Sequence, residues 1–240
     1  MNKKLLCVFA HPDDEAFGPG GTIAKYAREG VEIHVLCATK GEGGRWEESS
    51  KLKAQSSKLD DVRSQELLDS AKVLGIKRVE FLGYRDGTLC NANYHEIAAK
   101  VQKKMEEFEP QVVMTFDRLG VSGHIDHMAM AMMTTYAYKK YGKSQKLYYY
   151  CLKKPIDADE RNYFIYFPEG YDESVITTVI DTKEMWDIRV KAMGEHRSQK
   201  DDADWIIEHY GKKPREEYFI LAEESKMKIT QKENDLFSGI

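Results

Sequence analysis

From Lys4 to Ala10 the chain runs through apolar side chains almost without interruption, the pattern of a strand covered on both faces. Val31–Ala38 repeats that pattern, and Val79–Leu82, Val112–Phe116 and the tyrosine-rich Leu147–Leu152 follow. Between these runs the apolar period lengthens to that of a helix. Gly20-Gly21-Thr22 opens a segment from Ile23 to Glu29 that closes at Gly30. Leu67, Leu68, Ala71 and Leu74 share one face before Gly75, and Ile97, Val101, Met105 and Phe108 share another before Pro110. Met128, Met132, Thr135 and Tyr138 give a third such face. Strands that alternate with helices over residues 1–152 predict right-handed crossovers and a Rossmann-like α/β fold. Its sheet is doubly wound and mostly parallel, with helices on both faces. Residues 153–240 are less regular, with strands expected at Tyr163–Phe167, Val175–Ile180 and Phe219–Ala222. Asp181-Thr182-Lys183-Glu184 has capping-box spacing and predicts a helix from Thr182 to Met193. No repeat or linker divides the chain, so 1–240 reads as one domain with 153–240 packed on the core.

The polar clusters fall at the ends of these strands. His11-Pro12-Asp13-Asp14-Glu15 follows the first, Thr39-Lys40-Gly41-Glu42-Gly43 the second and Gly83-Tyr84-Arg85-Asp86-Gly87 the third. Asp117 to Gly123-His124-Ile125-Asp126-His127 follows the fourth. All four therefore lie at the carboxyl edge of a parallel sheet, where open α/β folds bind ligands. In a doubly wound order the first and fourth strands are neighbours about 5 Å apart, so the two histidine-aspartate clusters meet. His11 and Asp14, with His127 at the start of its helix, offer two imidazoles and a carboxylate to one divalent ion, leaving a position for water. Asp13, beside the ligand, is placed to accept a proton from that water, and His124 to reach the substrate from the other side. The long polar stretch from Gly41 to Asp61, which contains Trp46, reads as a mobile flap over this site.

Composition narrows the classes. The chain has 240 residues, 42% of them hydrophobic, and no apolar run nears the roughly 20 residues of a membrane span. Its 36 basic and 40 acidic residues give a net charge of −4 without a basic block, which argues against nucleic acid as a partner. Two lysines before the first apolar run imitate a signal peptide, but the run leads straight into His11-Pro12 with no small-residue cleavage site. Four widely separated cysteines, at 7, 37, 90 and 151, read as buried small hydrophobes in a reducing compartment. A cytoplasmic enzyme is the expectation, and nothing in the sequence opposes a homo-oligomer.

Paired as they are, His11-Pro12-Asp13-Asp14-Glu15 and Gly123-His124-Ile125-Asp126-His127 resemble the motifs of the PIG-L/LmbE-like family of zinc-dependent N-deacetylases. The resemblance continues through Thr39-Lys40-Gly41-Glu42, Arg63-Ser64-Gln65-Glu66, Leu82-Gly83-Tyr84-Arg85-Asp86 and His196-Arg197-Ser198-Gln199, and so covers most of the chain. It implies His11, Asp14 and His127 as metal ligands, Asp13 as general base, His124 at the oxyanion and Asp126 in support; His124 is expected to be protonated there, and Asp126 to orient an imidazole, His124 ahead of the others. It also implies zinc as the cofactor, with ferrous iron as the alternative, and a small N-acetylated amino sugar or glucosaminyl conjugate as substrate. Arg63, Asp86, Glu42 and Trp46 are the expected substrate contacts. Each has a plainer reading: an Arg63–Glu66 ion pair, an Asp-Gly turn at Asp86-Gly87, a loop anchor at Trp46. His196, at a helix end, reads equally as functional or as a favourably placed cation. Ile125 stands where relatives commonly carry proline, Lys40 where they often carry arginine, and Gly44-Arg45-Trp46-Glu47-Glu48 replaces a Gly-Thr-Pro-containing flap.

Three other classes compete. Gly18-Pro19-Gly20-Gly21 suggests dinucleotide binding, but the fingerprint needs glycine at Ile23, and carboxylates occupy the turn where phosphate would sit. A metal-dependent phosphoesterase with two ions calls for more ligands than these clusters offer. A metal- or sugar-binding module without turnover has no use for Asp13.

Overall fold

A computed structural model describes residues 2–44, 59–156 and 166–240. Seven strands form one sheet in the order β3-β2-β1-β4-β5-β7-β6: β1 (Lys4–Phe9), β2 (Glu32–Thr39), β3 (Arg78–Tyr84), β4 (Val112–Phe116), β5 (Lys146–Cys151), β6 (Thr178–Asp181) and β7 (Glu216–Leu221). The first five are parallel, and β7 runs antiparallel between β5 and β6. Strand order reverses at β1, which pairs with β2 on one side and β4 on the other. That central place accounts for its unbroken apolar run: Leu5 to Phe9 are at most 1% exposed. Each such side chain contributes roughly 1.5–3 kcal/mol through burial.

The described residues form eight helices: α1 (Asp14–Phe17), α2 (Gly20–Arg28), α3 (Leu59–Leu74), α4 (Tyr94–Phe108), α5 (Gly120–Gly123), α6 (Ile125–Tyr141), α7 (Trp186–Met193) and α8 (Lys200–Tyr210). Helices α2, α3 and α7 pack together, as do α4 and α6. The crossovers run one way across the sheet from β1 to β3 and the other way from β3 to β4 and β5, and because each is right-handed the two groups lie on opposite faces of the sheet. The polar loops after β1, β2, β3 and β4 thereby converge on one edge, with β1 and β4 at its centre.

Several details differ from the sequence expectation. The buried face of α6 is His127, Met130, Ala131, Thr134, Ala137, Tyr138 and Tyr141, whereas Met132 is 61% exposed. The helix is methionine-rich all round, so apolar spacing alone selects no face. The strand expected at Val175–Ile180 is shorter, at Thr178–Asp181. Of Tyr163–Phe167, residues 163–165 lie outside the described residues, and Tyr166 and Phe167 are in no strand. The helix expected from Thr182 begins as a 3-10 turn, Lys183–Met185, before α7, with the Asp181 carboxylate accepting from the Lys183 N–H at 2.9 Å. Helix α8 carries no core-type stripe and was not expected. Cys7, Cys37 and Cys151 are buried and Cys90 is exposed, all as free thiols. No helix among the described residues is long and apolar enough to cross a membrane.

Candidate metal centre and catalytic cleft

The loop leaving β1 is held by its own carboxylate. Asp14 Oδ2 accepts from the backbone N–H of His11 at 2.7 Å and of Ala10 at 3.1 Å, leaving Oδ1 turned to His127 Nε2 at 3.1 Å. His11 Nδ1 lies 3.2 Å from His127 Nε2 and 3.7 Å from Asp14 Oδ2. The three side chains that spacing singled out therefore meet across the β1–β4 junction. Metal–ligand bonds of 2.0–2.2 Å in a tetrahedron separate donor atoms by about 3.4 Å, close to the spacing of the two imidazole nitrogens and the Asp14 carboxylate, and His124 brings a ring nitrogen within 4.8 Å of those of His11 and His127.

The outward nitrogens of both imidazoles are also engaged. His11 Nε2 faces Asp86 Oδ1 at 3.0 Å and Asp126 Oδ2 at 3.4 Å. His127 Nδ1 faces the Gly120 carbonyl at 3.1 Å, and its ring stacks on Phe116 at 4.0 Å between centroids. Contacts of this kind fix the tautomer of a ligating histidine and leave its other nitrogen free of hydrogen. Asp117 accepts from Leu119 N–H at 2.6 Å and Val121 N–H at 3.1 Å, shaping the turn that presents Gly120. Val121 pays with a strained backbone, φ 60°.

Asp13 is strained too. Its φ of 124° is rare outside glycine, a conformation that costs on the order of 1–3 kcal/mol and persists only when surroundings enforce it. Arg63 Nη2 donates to Asp13 Oδ2 at 2.6 Å and to the Pro12 carbonyl at 2.7 Å, while Nη1 donates to the Gly41 carbonyl at 2.9 Å. Glu15 Oε2 accepts the Asp13 N–H at 3.1 Å, and Glu15 Oε1 is held by Ser70 at 2.5 Å and His196 Nε2 at 2.7 Å. Glu15 and His196 are essentially inaccessible, so both support Asp13 from behind. Glu66 takes Ser198 N–H at 2.8 Å and Ser198 Oγ at 2.6 Å, tying the His196–Gln199 segment to α3.

The electrostatics follow from this packing. Burial pushes the Asp13 carboxyl up to about 7, against the pull of Arg63. Burial also opposes ionised Asp14, but His127 and His11 outweigh it and hold that carboxyl well below the usual range. For His11, burial disfavours charge, yet hydrogen bonds to Asp126 and Asp86 and the charge of Asp14 push it up to about 10. His124 is pushed down to about 4 by burial and by the His11 and His127 imidazoles.

Two expectations need correction. Asp126 does not orient His124 through its carboxylate, which faces His11 and accepts from Gly87 N–H at 2.7 Å and Leu89 N–H at 3.0 Å. It is the Asp126 backbone N–H that meets His124, donating to Nδ1 at 3.2 Å as the helix cap. A ring that accepts at Nδ1 carries its proton on Nε2 when neutral, so this environment favours a neutral His124 donor over the protonated one expected.

Arg63 pairs with Asp13 and not with Glu66. Asp86 makes both its turn, with Gly87 at φ 76°, and the contact to His11. Glu42 Oε1 accepts the Asp86 N–H at 3.1 Å, and Glu42 is not on the cavity wall. Trp46 and residues 45–58 of the expected flap lie outside the described residues. His11, Asp13, Asp14, Arg63, Asp86, His124 and His127 all line one cavity of about 580 Å³. Sequence reasoning missed Glu15, Asp117 and the wall supplied by α8. The one available signal was the joint presence of His196-Arg197-Ser198 and Arg63-Ser64-Gln65-Glu66, which prove to be bonded to each other and to the first loop.

Similarity to known proteins agrees with this geometry. The family model described as PIG-L, GlcNAc-PI de-N-acetylase, matches residues 6–138. A 1D-myo-inositol 2-acetamido-2-deoxy-alpha-D-glucopyranoside deacetylase of Rhodococcus jostii is 29% identical over 99% of this chain and 98% of its own. The N,N'-diacetylchitobiose deacetylase of Pyrococcus horikoshii superimposes with a TM-score of 0.66 at 26% identity, covering 92% of this chain and 84% of that one. The 4-carboxy-2-hydroxymuconate hydratase of Pseudomonas putida has a TM-score of 0.69 at 20% identity over 95% and 98% of the two chains. That last likeness is one of fold alone, and a fold does not choose its chemistry. Family-model match, whole-length relatives and the convergence of the two histidine-aspartate motifs lead to one conclusion: the chain belongs to the PIG-L de-N-acetylase family.

Proposed function

We propose that the protein is a metal-dependent hydrolase that removes the N-acetyl group of an N-acetylglucosamine conjugate. His11 through Nδ1, His127 through Nε2 and Asp14 through Oδ1 would hold the ion, zinc by the nitrogen-rich donor set, with ferrous iron the alternative. The observation that carries this reading is the closeness of His127 Nε2 to His11 Nδ1, at 3.2 Å, and to Asp14 Oδ1, at 3.1 Å, beside a carboxylate held in a strained conformation. A divalent cation so held lowers the pKa of a water and polarises the amide carbonyl.

Asp13 accepts the proton of the attacking water, a task suited to a carboxyl raised toward neutrality. The neutral His124 ring donates from Nε2 to the oxygen on which negative charge develops. Asp13 then returns its proton to the departing amine, so acetate and a free amino sugar leave. Arg63 holds Asp13 in place and, with Asp86, borders the cavity where sugar hydroxyls would lie. The inward carboxylates of Asp86 and Asp126 keep His11 in the tautomer that presents Nδ1. The direct test is acetate release from N-acetylglucosaminides by the metal-loaded protein. Equal amounts of acetate and new amine, lost on chelation and restored by zinc or ferrous iron, are expected. Turnover indifferent to chelation would overturn the reading.

Proton and metal compete for His11. Because its ring is held up to about 10, metal uptake near neutral pH displaces a proton, and affinity rises with pH until that value is passed. Calorimetry in buffers of different ionisation enthalpy should register about one proton released from this ring per ion bound. Metal affinity flat between pH 7 and 9 would show that the His11 ring holds no displaceable proton there.

A further inference from the structure

Glu15 takes no part in the steps above, yet none of its surface reaches solvent. A carboxylate stays at such depth only where donors replace the lost water. Ser70 Oγ at 2.5 Å and His196 Nε2 at 2.7 Å share Oε1, and Oε2 accepts the Asp13 N–H at 3.1 Å. The side chain therefore joins two buried donors to the backbone of a single residue, the one given the proton-accepting role.

The supports come from one side of α3. Arg63, Glu66 and Ser70, three and four residues apart, form a buried polar stripe along that helix. Arg63 grips the Asp13 carboxylate from the cavity side, and Ser70 holds Glu15 behind it. Glu66, between them, anchors Ser198 and with it the turn that carries His196. Asp13 needs such holding, because at φ 124° its backbone relaxes unless the surroundings prevent it. Arg63 fixes the carboxylate but leaves the peptide plane free to turn. An acceptor locked in place on the N–H fixes that plane, and φ with it.

We propose that Glu15, locked by Ser70 and His196, is a positioning residue for Asp13. Through the Asp13 N–H it maintains the strained backbone that aims the Asp13 carboxylate into the cavity. This rests on the role given to Asp13 above, and adds a residue that touches neither substrate nor the candidate metal ligands' side chains.

Glu15→Gln tests it. The amide keeps the shape but offers one acceptor oxygen where three donors use two. Ser70 and His196 together claim that oxygen, so the new NH2 group faces the Asp13 N–H and the contact is lost. In the zinc-loaded variant kcat is expected to fall about 10–100-fold, with KM and zinc content at the wild-type level. Its crystal structure should show Asp13 at negative φ and the Asp14 carboxylate still accepting from the His11 N–H. Ser70→Ala, which removes one donor to Oε1, is expected to lose less with the same split, and carries the comparison should Glu15→Gln not fold. A merely structural role would slow Asp13→Asn by the same factor as wild type. A positioning role predicts that Glu15→Gln slows Asp13→Asn by less than about twofold. Wild-type kcat in Glu15→Gln, zinc lost in step with activity, equal factors in the two backgrounds, or Asp13 kept near φ 124° would each overturn the proposal. If the wild-type protein releases no acetate, the deacetylase reading has failed, and the crystal structures decide the positioning alone: Asp13 relaxed upholds it, Asp13 unmoved refutes it.

Discussion

Asp13→Asn is expected to lower kcat by about 10²–10⁴-fold while leaving bound metal at the wild-type level. The amide has nearly the shape of the carboxylate and can still accept from Arg63, which lies 2.6 Å from Oδ2. It cannot take up a proton. Asp13 also sits beside the candidate ligands without sharing their donor contacts, since it is Asp14 whose carboxylate faces His127. Loss of turnover with metal and KM preserved would mark a group that acts in the transition state and not in the ground state. Parallel assays of zinc content and acetate release check it, and activity within a few-fold of wild type would remove Asp13 from the chemistry.

His127→Ala is expected to weaken metal binding by more than about 100-fold, beyond what loss of an outer-shell partner costs, and to abolish turnover with it. From the β4 side the imidazole meets both His11 and Asp14. Its removal takes away the donor nearest to both His11 and Asp14, and His124, the remaining imidazole of the cluster, stays capped to the Asp126 N–H through Nδ1. The helix should survive, because the cap on α6 comes from His124 and the buried face continues through Met130 and Ala131. Circular dichroism close to wild type together with empty metal sites is the expected pair of results. A variant that binds zinc as tightly as wild type would place the ion elsewhere.

Much of this site could be read before any coordinates because topology does the work. A continuous apolar run such as Leu5–Phe9 belongs in the middle of a parallel sheet, and the strand ends on either side of a reversal in strand order must meet. His11, Asp14 and His127 are placed together by that rule alone. Asp126 shows where the rule stops: spacing puts its carboxylate at the site but cannot say which imidazole it faces, and the backbone donors of Gly87 and Leu89 decide for His11. Glu15 reads as one more acidic residue at a helix start, since nothing local reveals that Ser70 and His196 will neutralise its burial. Helix α8 was missed because Trp205, Ile206 and Tyr210 face a cavity, and the charges around them hide so narrow a stripe. On α6 the opposite holds, as apolar residues on every side leave its phase undetermined.

His11 offers two ways to hold an ion. Its Nδ1 looks to Asp14 and His127, whereas its Nε2 looks to Asp86 and Asp126, a second trio of donors close enough to ligate. Anomalous diffraction at the zinc edge from crystals of the loaded protein separates the two. A single peak within about 2.0–2.2 Å of His11 Nδ1, His127 Nε2 and an Asp14 oxygen is the result expected here. A peak bonded to His11 Nε2, between Asp86 and Asp126, would contradict it.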